Sequence, residues 1–473
     1  MPFRSFLSAK VLSVMTCIFF MLLMGCELTE PNLSYDECLA GKAPCPETCN
    51  GEDDDDDGAI DEGLSETCIV FTALNLERSN VDSGFGRSIA TVPDIDGDGV
   101  HEVLVATSRS VDELDPNDPQ EGEVSLVDGG SLQIIRTVKF GGDFGQSLVV
   151  GKFNGAQNLW CAGAPTKEGP DGVLGKVLCL DFEGGVIDSL GANSEYGLGQ
   201  YLMVKEGDDN DQLIISEPLW QRPATDEEEA IIDVGRVQIM SINEGSLNVV
   251  QTIVGGESGH KLGERVIAIK DGNNDGIDDY LLTGYSPANP DQRQVWLVSG
   301  EDSTKVSRIK RFSAPENTAG LFGESLAIGR FDHNSNQEIL AFGAPIVEVE
   351  RDGQVDTLSR VYFTTNGGEP LGTSSARVFE DETKGIGGTM AKLSFETHDI
   401  LATAGPGRLR FLKLNGAKAE VLKEFDLPRG ATPVLAATKE ADEDGTFKVW
   451  VGLPELNSVR VLTVRPPVIE SED

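Results

Sequence analysis

The chain has 473 residues, 79 of them Asp or Glu against 38 Lys or Arg, and a formal net charge of −41 at pH 7. So acidic a surface excludes nucleic acid as a partner, because binding it relies on neutralising phosphates with basic groups. The 54 Gly and 22 Pro, with moderate hydrophobicity, favour many short strands joined by turns over long helices, in one large repeat domain or two to three ordinary ones.

The chain opens with a short basic stretch holding Arg4 and Lys10, followed by an apolar run over 11–24. That run is too short and too close to the start for a spanning helix and reads as an export signal. It ends in Leu23-Met24-Gly25-Cys26, which resembles the lipobox of bacterial lipoproteins. The resemblance implies that residues 1–25 are removed, which takes the net charge to −43, and that Cys26 is acylated. Glu27 follows, where an aspartate would point to retention at the inner membrane. The expectation is therefore a lipid anchor in the outer membrane or at the surface of a Gram-negative-type bacterium, with a plain secretory signal as the alternative.

Residues 26–67 form a Cys-rich acidic linker. With Cys17 in the signal and Cys26 lipidated, six cysteines remain: Cys38, Cys45, Cys49, Cys68, Cys161 and Cys179. Even parity in an exported chain favours disulfides, and the pairing of the first four stays open. Cys161 and Cys179 fall in consecutive expected strands, where a hairpin permits a bridge. The segment Cys49-Asn50-Gly51, an acidic run and Asp57-Gly58-Ala59-Ile60-Asp61-Glu62 resembles a metal-binding motif of lipoproteins and surface proteins from some predatory and soil bacteria. Asp56 stands where that motif has an internal Cys. Asp53, Asp55, Asp57, the Ala59 carbonyl and Asp61 offer calcium-type spacing; the alternative is a solvated acidic linker.

From residue 68 to 465 one unit recurs. Phe85-Gly86-Arg87-Ser88 leads through Asp94-Ile95-Asp96-Gly97-Asp98-Gly99-Val100-His101-Glu102 into the apolar strand Val103-Leu104-Val105-Ala106. Phe144-Gly145 leads to Gly163-Ala164-Pro165, Leu198-Gly199 to Ser216-Glu217-Pro218, and Leu262-Gly263 to Thr283-Gly284. Phe322-Gly323 leads to Gly343-Ala344-Pro345, and Ile386-Gly387 to Ala404-Gly405-Pro406. Third and fourth strands follow in each unit, as at 123–127 and 134–138, and four strands make a blade. A fixed period of this size signals a solenoid or propeller. The units resemble the FG-GAP repeats of integrin α-subunit propellers and their bacterial relatives, over roughly residues 69–464. A degenerate seventh unit, 433–464, has only three strands, and the β-rich segment 69–74 before the first Phe-Gly is free to supply the fourth. The expectation is an all-β, seven-bladed β-propeller closed by an N-terminal strand, with six or eight blades if degenerate units count otherwise, and a tail over 466–473.

Asp94, Asp96 and Asp98 occupy positions 1, 3 and 5 of a tight loop, with the Val100 carbonyl next and Glu102 closing the shell. Hard cations such as Ca2+ take six to eight oxygens, which this spacing supplies from one short segment. Asp271, Asn273, Asp275, Ile277 and Asp279 repeat the arrangement, whereas Asp332, Asn334 and Glu338, and Asp442 and Asp444, keep only parts of it. An Asp-Gly turn capped by its own side chains is the alternative for each loop.

Strand direction alternates, so the metal loops and the connections after Gly-Ala-Pro lie on opposite faces. The second face carries the long insertions 108–122, 218–235, 286–294 and 345–359, with Trp220 in one of them. Insertions on a rigid scaffold are where binding usually resides, and the integrin resemblance implies a protein or glycan ligand there. Trp220 is either a stacking platform or folded back onto the propeller. The histidines His101, His260, His333 and His398 are scattered, and no nucleophile elbow, phosphate loop or zinc-protease motif occurs. A non-enzymatic recognition or adhesion role is expected. The alternatives are a structural or assembly lipoprotein, and a propeller enzyme acting on polysaccharide.

Overall fold

The computed structural model describes Cys49 and residues 67–466, apart from 79–83, 108–120, 142, 154, 156, 169–173, 192–196, 225–228, 274, 287–288, 302–307, 315–317, 352 and 366–376. The signal peptide, Cys26, Cys38, Cys45 and the acidic residues Asp53, Asp55, Asp57, Ala59 and Asp61 lie outside the described residues. Residues 67–466 form one compact unit.

That unit is a seven-bladed β-propeller. After β1 (Cys68–Glu77), the first blade comprises β2 (Phe85–Thr91), β3 (Val103–Thr107), β4 (Glu121–Val127) and β5 (Ile134–Gly141). The second holds β6 (Leu148–Phe153), β7 (Gln157–Glu168), β8 (Leu174–Leu180) and β9 (Val186–Gly191), and the third β10 (Tyr201–Lys205), β11 (Gln212–Glu217), β12 (Arg236–Asn243) and β13 (Ser246–Val254). The fourth has β14 (Val266–Ile269), β15 (Asp279–Ser286), β16 (Asn289–Val298) and β17 (Arg308–Ser313). The fifth adds a short strand, β18 (Thr318–Gly320), to β19 (Leu326–Gly329), β20 (Ile339–Arg351), β21 (Gln354–Thr364) and β22 (Arg377–Asp381). The sixth is β23 (Thr389–Ser394), β24 (Asp399–Gly405), β25 (Arg408–Asn415) and β26 (Lys418–Asp426). The seventh takes β27 (Val434–Ala437), β28 (Phe447–Leu453) and β29 (Ser458–Arg465), and β1 pairs antiparallel with β29 from Cys68 opposite Arg465 to Glu77 opposite Ser458. The expected closing strand is therefore in place, and the first strands of successive blades touch in an unbroken cycle of seven.

Burial follows position in the blade. The second strands β3 and β24 are buried along their whole length, whereas the outer strands β5 and β26 are mostly exposed or half-exposed. The core lies between blades: Leu104, Val124 and Leu126 of the first pack with Phe144, Trp160 and Leu178 of the second, and Phe85 and Val103 pack with Trp450 and Val461 across the closure. Stability is thus shared among blade interfaces.

The recurring Phe-Gly and Gly-Ala-Pro pieces lock each blade to the next. Phe85, Phe144 and Phe322 are buried, as are Leu198, Leu262 and Ile386 at the same place in the other units. The glycine that follows takes a left-handed backbone, φ 84° at both Gly199 and Gly387. It lies so close to the preceding blade that a Cβ on Gly163 would overlap the Gly199 carbonyl, and one on Gly343 the Gly387 carbonyl. Hydroxyls from the preceding blade then donate to those carbonyls, Ser147 to Gly199 O at 2.7 Å and Ser325 to Gly387 O at 2.6 Å.

One expected insertion takes a different form. Residues 345–359, read from the sequence as a loop, are the tip of the β20–β21 hairpin. Val347 and Val349 are buried while Ile346, Glu348 and Glu350 face outward, so the period of two makes strand, and Gly353 with φ 76° turns it. Asn289–Val298 is likewise strand through part of 286–294.

Candidate metal loops and binding face

The connection from β2 to β3 holds the first acidic loop. Gly97 N donates to Asp94 Oδ1 at 2.7 Å and Gly99 N to Asp94 Oδ2 at 3.0 Å, Val100 N to Asp98 Oδ1 at 2.8 Å, and Ile95 N to Glu102 Oε2 at 3.0 Å. Asp94, Asp96, Asp98 and Glu102 each offer a carboxylate oxygen, all within 4.8 Å of one another. Among the described residues this is the one group of three or more such ligands so gathered. The backbone donor Gly97 heads the contributions that hold the Asp94 carboxyl below the usual carboxylate range. Glu102 is 1% exposed, and burial, with Asp96 and Asp94 beside it, pushes its carboxyl up to about 7. Three solvent-facing carboxylates closed by one buried carboxylate are a donor set suited to a hard dication.

The β14–β15 connection repeats the turn. Asp271 accepts from Asp275 N and Gly276 N, both at 2.9 Å, Asp275 Oδ1 from Ile277 N at 2.8 Å, and Asp275 Oδ2 from Asn273 Nδ2 at 2.7 Å. Its closing residue differs. Asp279 is one methylene shorter than Glu102, and its two oxygens already accept from Gly272 N at 2.8 Å and Gly300 N at 3.0 Å. Burial raises the Asp279 carboxyl.

The decayed loops bind protein groups. Asp332 pairs with Arg377 at 3.2 Å and accepts from Asn334 N and Gly416 N. Asp442 accepts from His101 N at 2.9 Å, meets His101 Nδ1 at 2.7 Å and Lys448 Nζ at 3.0 Å, while Glu443 N donates to Gly99 O. The seventh blade thereby clamps the first acidic loop.

On the opposite face, Trp220 is half-buried beneath Arg236, whose guanidinium carbon lies 4.9 Å from the ring centroid. Arg236 in turn pairs with the fully buried Glu217. Trp220 is not among the residues lining a cavity of this face, a space of about 920 Å3 over blades five to seven. Leu321, Ile346, Pro406, Lys384, Arg408 and Arg429 mark its wall. Pro406 closes the sixth repeat and Ile346 falls in the 345–359 insertion, whereas Leu321, Lys384, Arg408 and Arg429 went unread in the sequence; the basic turn Gly407-Arg408 after the sixth Gly-Pro was the available signal. Cys161 and Cys179, directly opposite on β7 and β8, are joined by a disulfide, and Cys49 and Cys68 are each disulfide-bonded.

No family model matches the chain. Its fold is similar to that of BBS1N, solved in complex with ARL6DN and soaked with lead. The TM-score is 0.50 at 11% identity, over 85% of this chain and 98% of that one. At that identity the likeness carries the fold alone.

Proposed function

We propose that the protein is an exported, lipid-anchored, calcium-binding propeller of the FG-GAP kind that recognises an extracellular or envelope ligand and catalyses no reaction. The observation that carries this reading is the division between faces. Acidic turns with calcium-type spacing occupy one face, and the 920 Å3 cavity with the β20–β21 hairpin beside it occupies the other. The interlocking of Phe-Gly with Gly-Ala-Pro between blades supports the repeat assignment. BBS1N, solved with ARL6DN, is a case of this fold meeting a protein partner, in line with a protein ligand here.

In this reading Asp94, Asp96, Asp98, the Val100 carbonyl and Glu102 hold one Ca2+. Asp271, Asn273, Asp275, the Ile277 carbonyl and Asp279 hold a second more weakly, and Asp53, Asp55, Asp57, the Ala59 carbonyl and Asp61 form a third site in the linker. The ion stiffens the turn between the two innermost strands of a blade. Cys26 carries the anchor to the outer membrane.

The test is affinity capture from envelope extract with the purified full-length protein, in calcium and in chelator. Foreign-cell or matrix ligands retained in calcium support recognition. A fixed set of outer-membrane proteins would replace it with the assembly role, and turnover of polysaccharide would replace it with an enzyme. In parallel, a fatty-acid probe should label wild type and not Cys26→Ser; equal labelling defeats the anchor.

A further inference from the structure

The charges on the cavity wall are out of keeping with the rest of the molecule. In a chain of net charge −41, Lys384, Arg408 and Arg429 line it together with Glu324 and Asp426. Two of these charges are already matched: Glu324 pairs with Arg265 and Arg293, and Arg408 with Glu424 at 2.6 Å. Lys384 and Arg429 form no ion pair among the described residues, and both are exposed. They flank one turn, Pro406-Gly407. The Arg429 stem lies over Gly407, and Gly385, next to Lys384, packs against Pro406. Among the described residues Asp426 is the remaining carboxylate of the lining without an ion pair, which leaves their charges with a positive excess within an acidic surface.

The uncharged lining combines the aliphatic Leu321, Ile346, Leu427 and Ala404 with glycines, prolines and the threonines Thr383, Thr389 and Thr432. Leu321 is 38% exposed and Ile346 43% exposed at the cavity edge, where Ile346 extends from the β20–β21 hairpin, and Leu427 and Ala404 lie deeper. Among the described residues no lining residue is aromatic. A sugar's C–H face is ordinarily received on an aromatic ring, so this wall suits aliphatic side chains better than a saccharide. The volume, about 920 Å3, fits a short run of residues and not a folded surface.

We infer that this cavity binds a peptide segment of a partner protein that presents a carboxylate beside an aliphatic side chain, the carboxylate meeting Lys384 and Arg429 and the aliphatic group meeting Leu321 and Ile346. The inference rests on the recognition reading above and supplies its site and ligand class. An unpaired cation pair also steers an acidic segment in against the repulsion of the remaining surface, so binding weakens with salt.

The experiment is selection of random heptapeptides displayed on phage against the immobilised full-length protein. It is followed by affinity measurement of the strongest peptide on wild type, on Lys384→Glu/Arg429→Glu and on Lys418→Glu. Lys418 is 79% exposed and lies on the opposite face, next to the turn that reaches Asp332. Melting curves check that the variants fold. The expected result is enrichment of Asp or Glu next to Leu, Ile or Val, with affinity lowered roughly tenfold or more by the double reversal and by Glu→Gln in the peptide, and unchanged by Lys418→Glu. The proposal is overturned by selection of no peptide, by selection without acidic preference, or by affinity indifferent to the double reversal. Polygalacturonate, run alongside, overturns it if it binds and is lost on reversal while no peptide is selected. Envelope ligands whose capture survives the reversal would leave the recognition role standing and remove only this assignment of the cavity.

Discussion

At the scale of single residues, Glu102 is the most consequential member of the first acidic loop. It is buried, it shares its surroundings with Asp94 and Asp96, and Ile95 N is the donor on its carboxylate. Such a carboxylate is costly without a cation and valuable with one. Glu102→Gln should therefore leave the melting temperature in chelator unchanged or slightly raised, while removing most of the calcium-induced gain. That gain is about 2.7 kcal/mol at a hundredfold excess over the dissociation constant. Asp96→Ala should also lose the gain, and Asp279→Asn only a small part of it. Differential scanning calorimetry in calcium, magnesium and chelator reads all three, and a Glu102→Gln protein with the full calcium gain would refute the site.

A second residue-scale prediction concerns His333 and His398, whose rings meet tilted by 44° with centroids 3.7 Å apart on the face of the acidic loops. Burial first, and then the neighbouring His333, depress His398 to about 4; burial and Lys413 lower His333. Asp332, Asp399 and Glu420 pull the other way without reversing it, while Arg330 adds to the depression. The unfolded chain protonates near 6.5, so the folded state binds fewer protons, and the stability present above that pH is lost as it falls from 6.5 toward 4. His398→Gln should flatten this fall by on the order of 1 kcal/mol, after discounting for water around a half-exposed ring. Melting series from pH 7 to pH 4 provide the comparison, and parallel curves for variant and wild type would remove the pair from the account.

At the scale of elements, the disulfide between β7 and β8 closes a loop with a sequence separation of 18. Replacing Cys161 and Cys179 together by Ala should lower stability by about 3 kcal/mol, measurable by urea unfolding. The closing strand is tested by Ile69→Ala: Ile69 of β1 is buried with Leu462 and Val464 of β29, and its truncation should cost roughly 2 to 4 kcal/mol. Glu77→Ala, at the exposed end of the same strand, should change stability by less than about 0.5 kcal/mol. What was legible in the sequence at this scale was local. Phe-Gly, the Asp-x-Asp-x-Asp turn and the apolar second strands are each written in a few consecutive residues, because backbone conformation and strand burial are decided there. The 345–359 hairpin was missed although Val347 and Val349 alternate with Ile346, Glu348 and Glu350, since the acidic residues of its solvent face read as loop. The cavity was missed for a different reason: Leu321, Lys384 and Arg429 come together only through the angular order of three blades. The hold of Asp442 on His101 crosses the ring closure, 341 residues along the chain, and no local pattern announces it.

At the scale of the whole molecule, seven similar sheets share the load, and no blade completes its core alone. Phe85, Val103 and Trp450 belong to one cluster although they come from the first and last blades. Lost packing at any interface is therefore felt around the ring, and Glu443 N on Gly99 O and His101 N on Asp442 tie the first acidic loop to the seventh blade.

The pairing of Cys68 with Arg465 also sets a timetable. β1 waits until all seven blades have been made before its partner appears, and in the interval it is an open edge able to join the wrong molecule. Long-range closure of this kind is slow relative to the hairpins that build each blade. Because the first and last strands of the propeller pair side by side, the order can be rewritten by linking 465 to 68 and starting at Asp143, so that every blade is contiguous. That permuted chain should refold faster and aggregate less at micromolar concentration, with a melting temperature close to the original. Equal refolding rates by stopped-flow fluorescence would mean that the last pairing is not what the chain waits for.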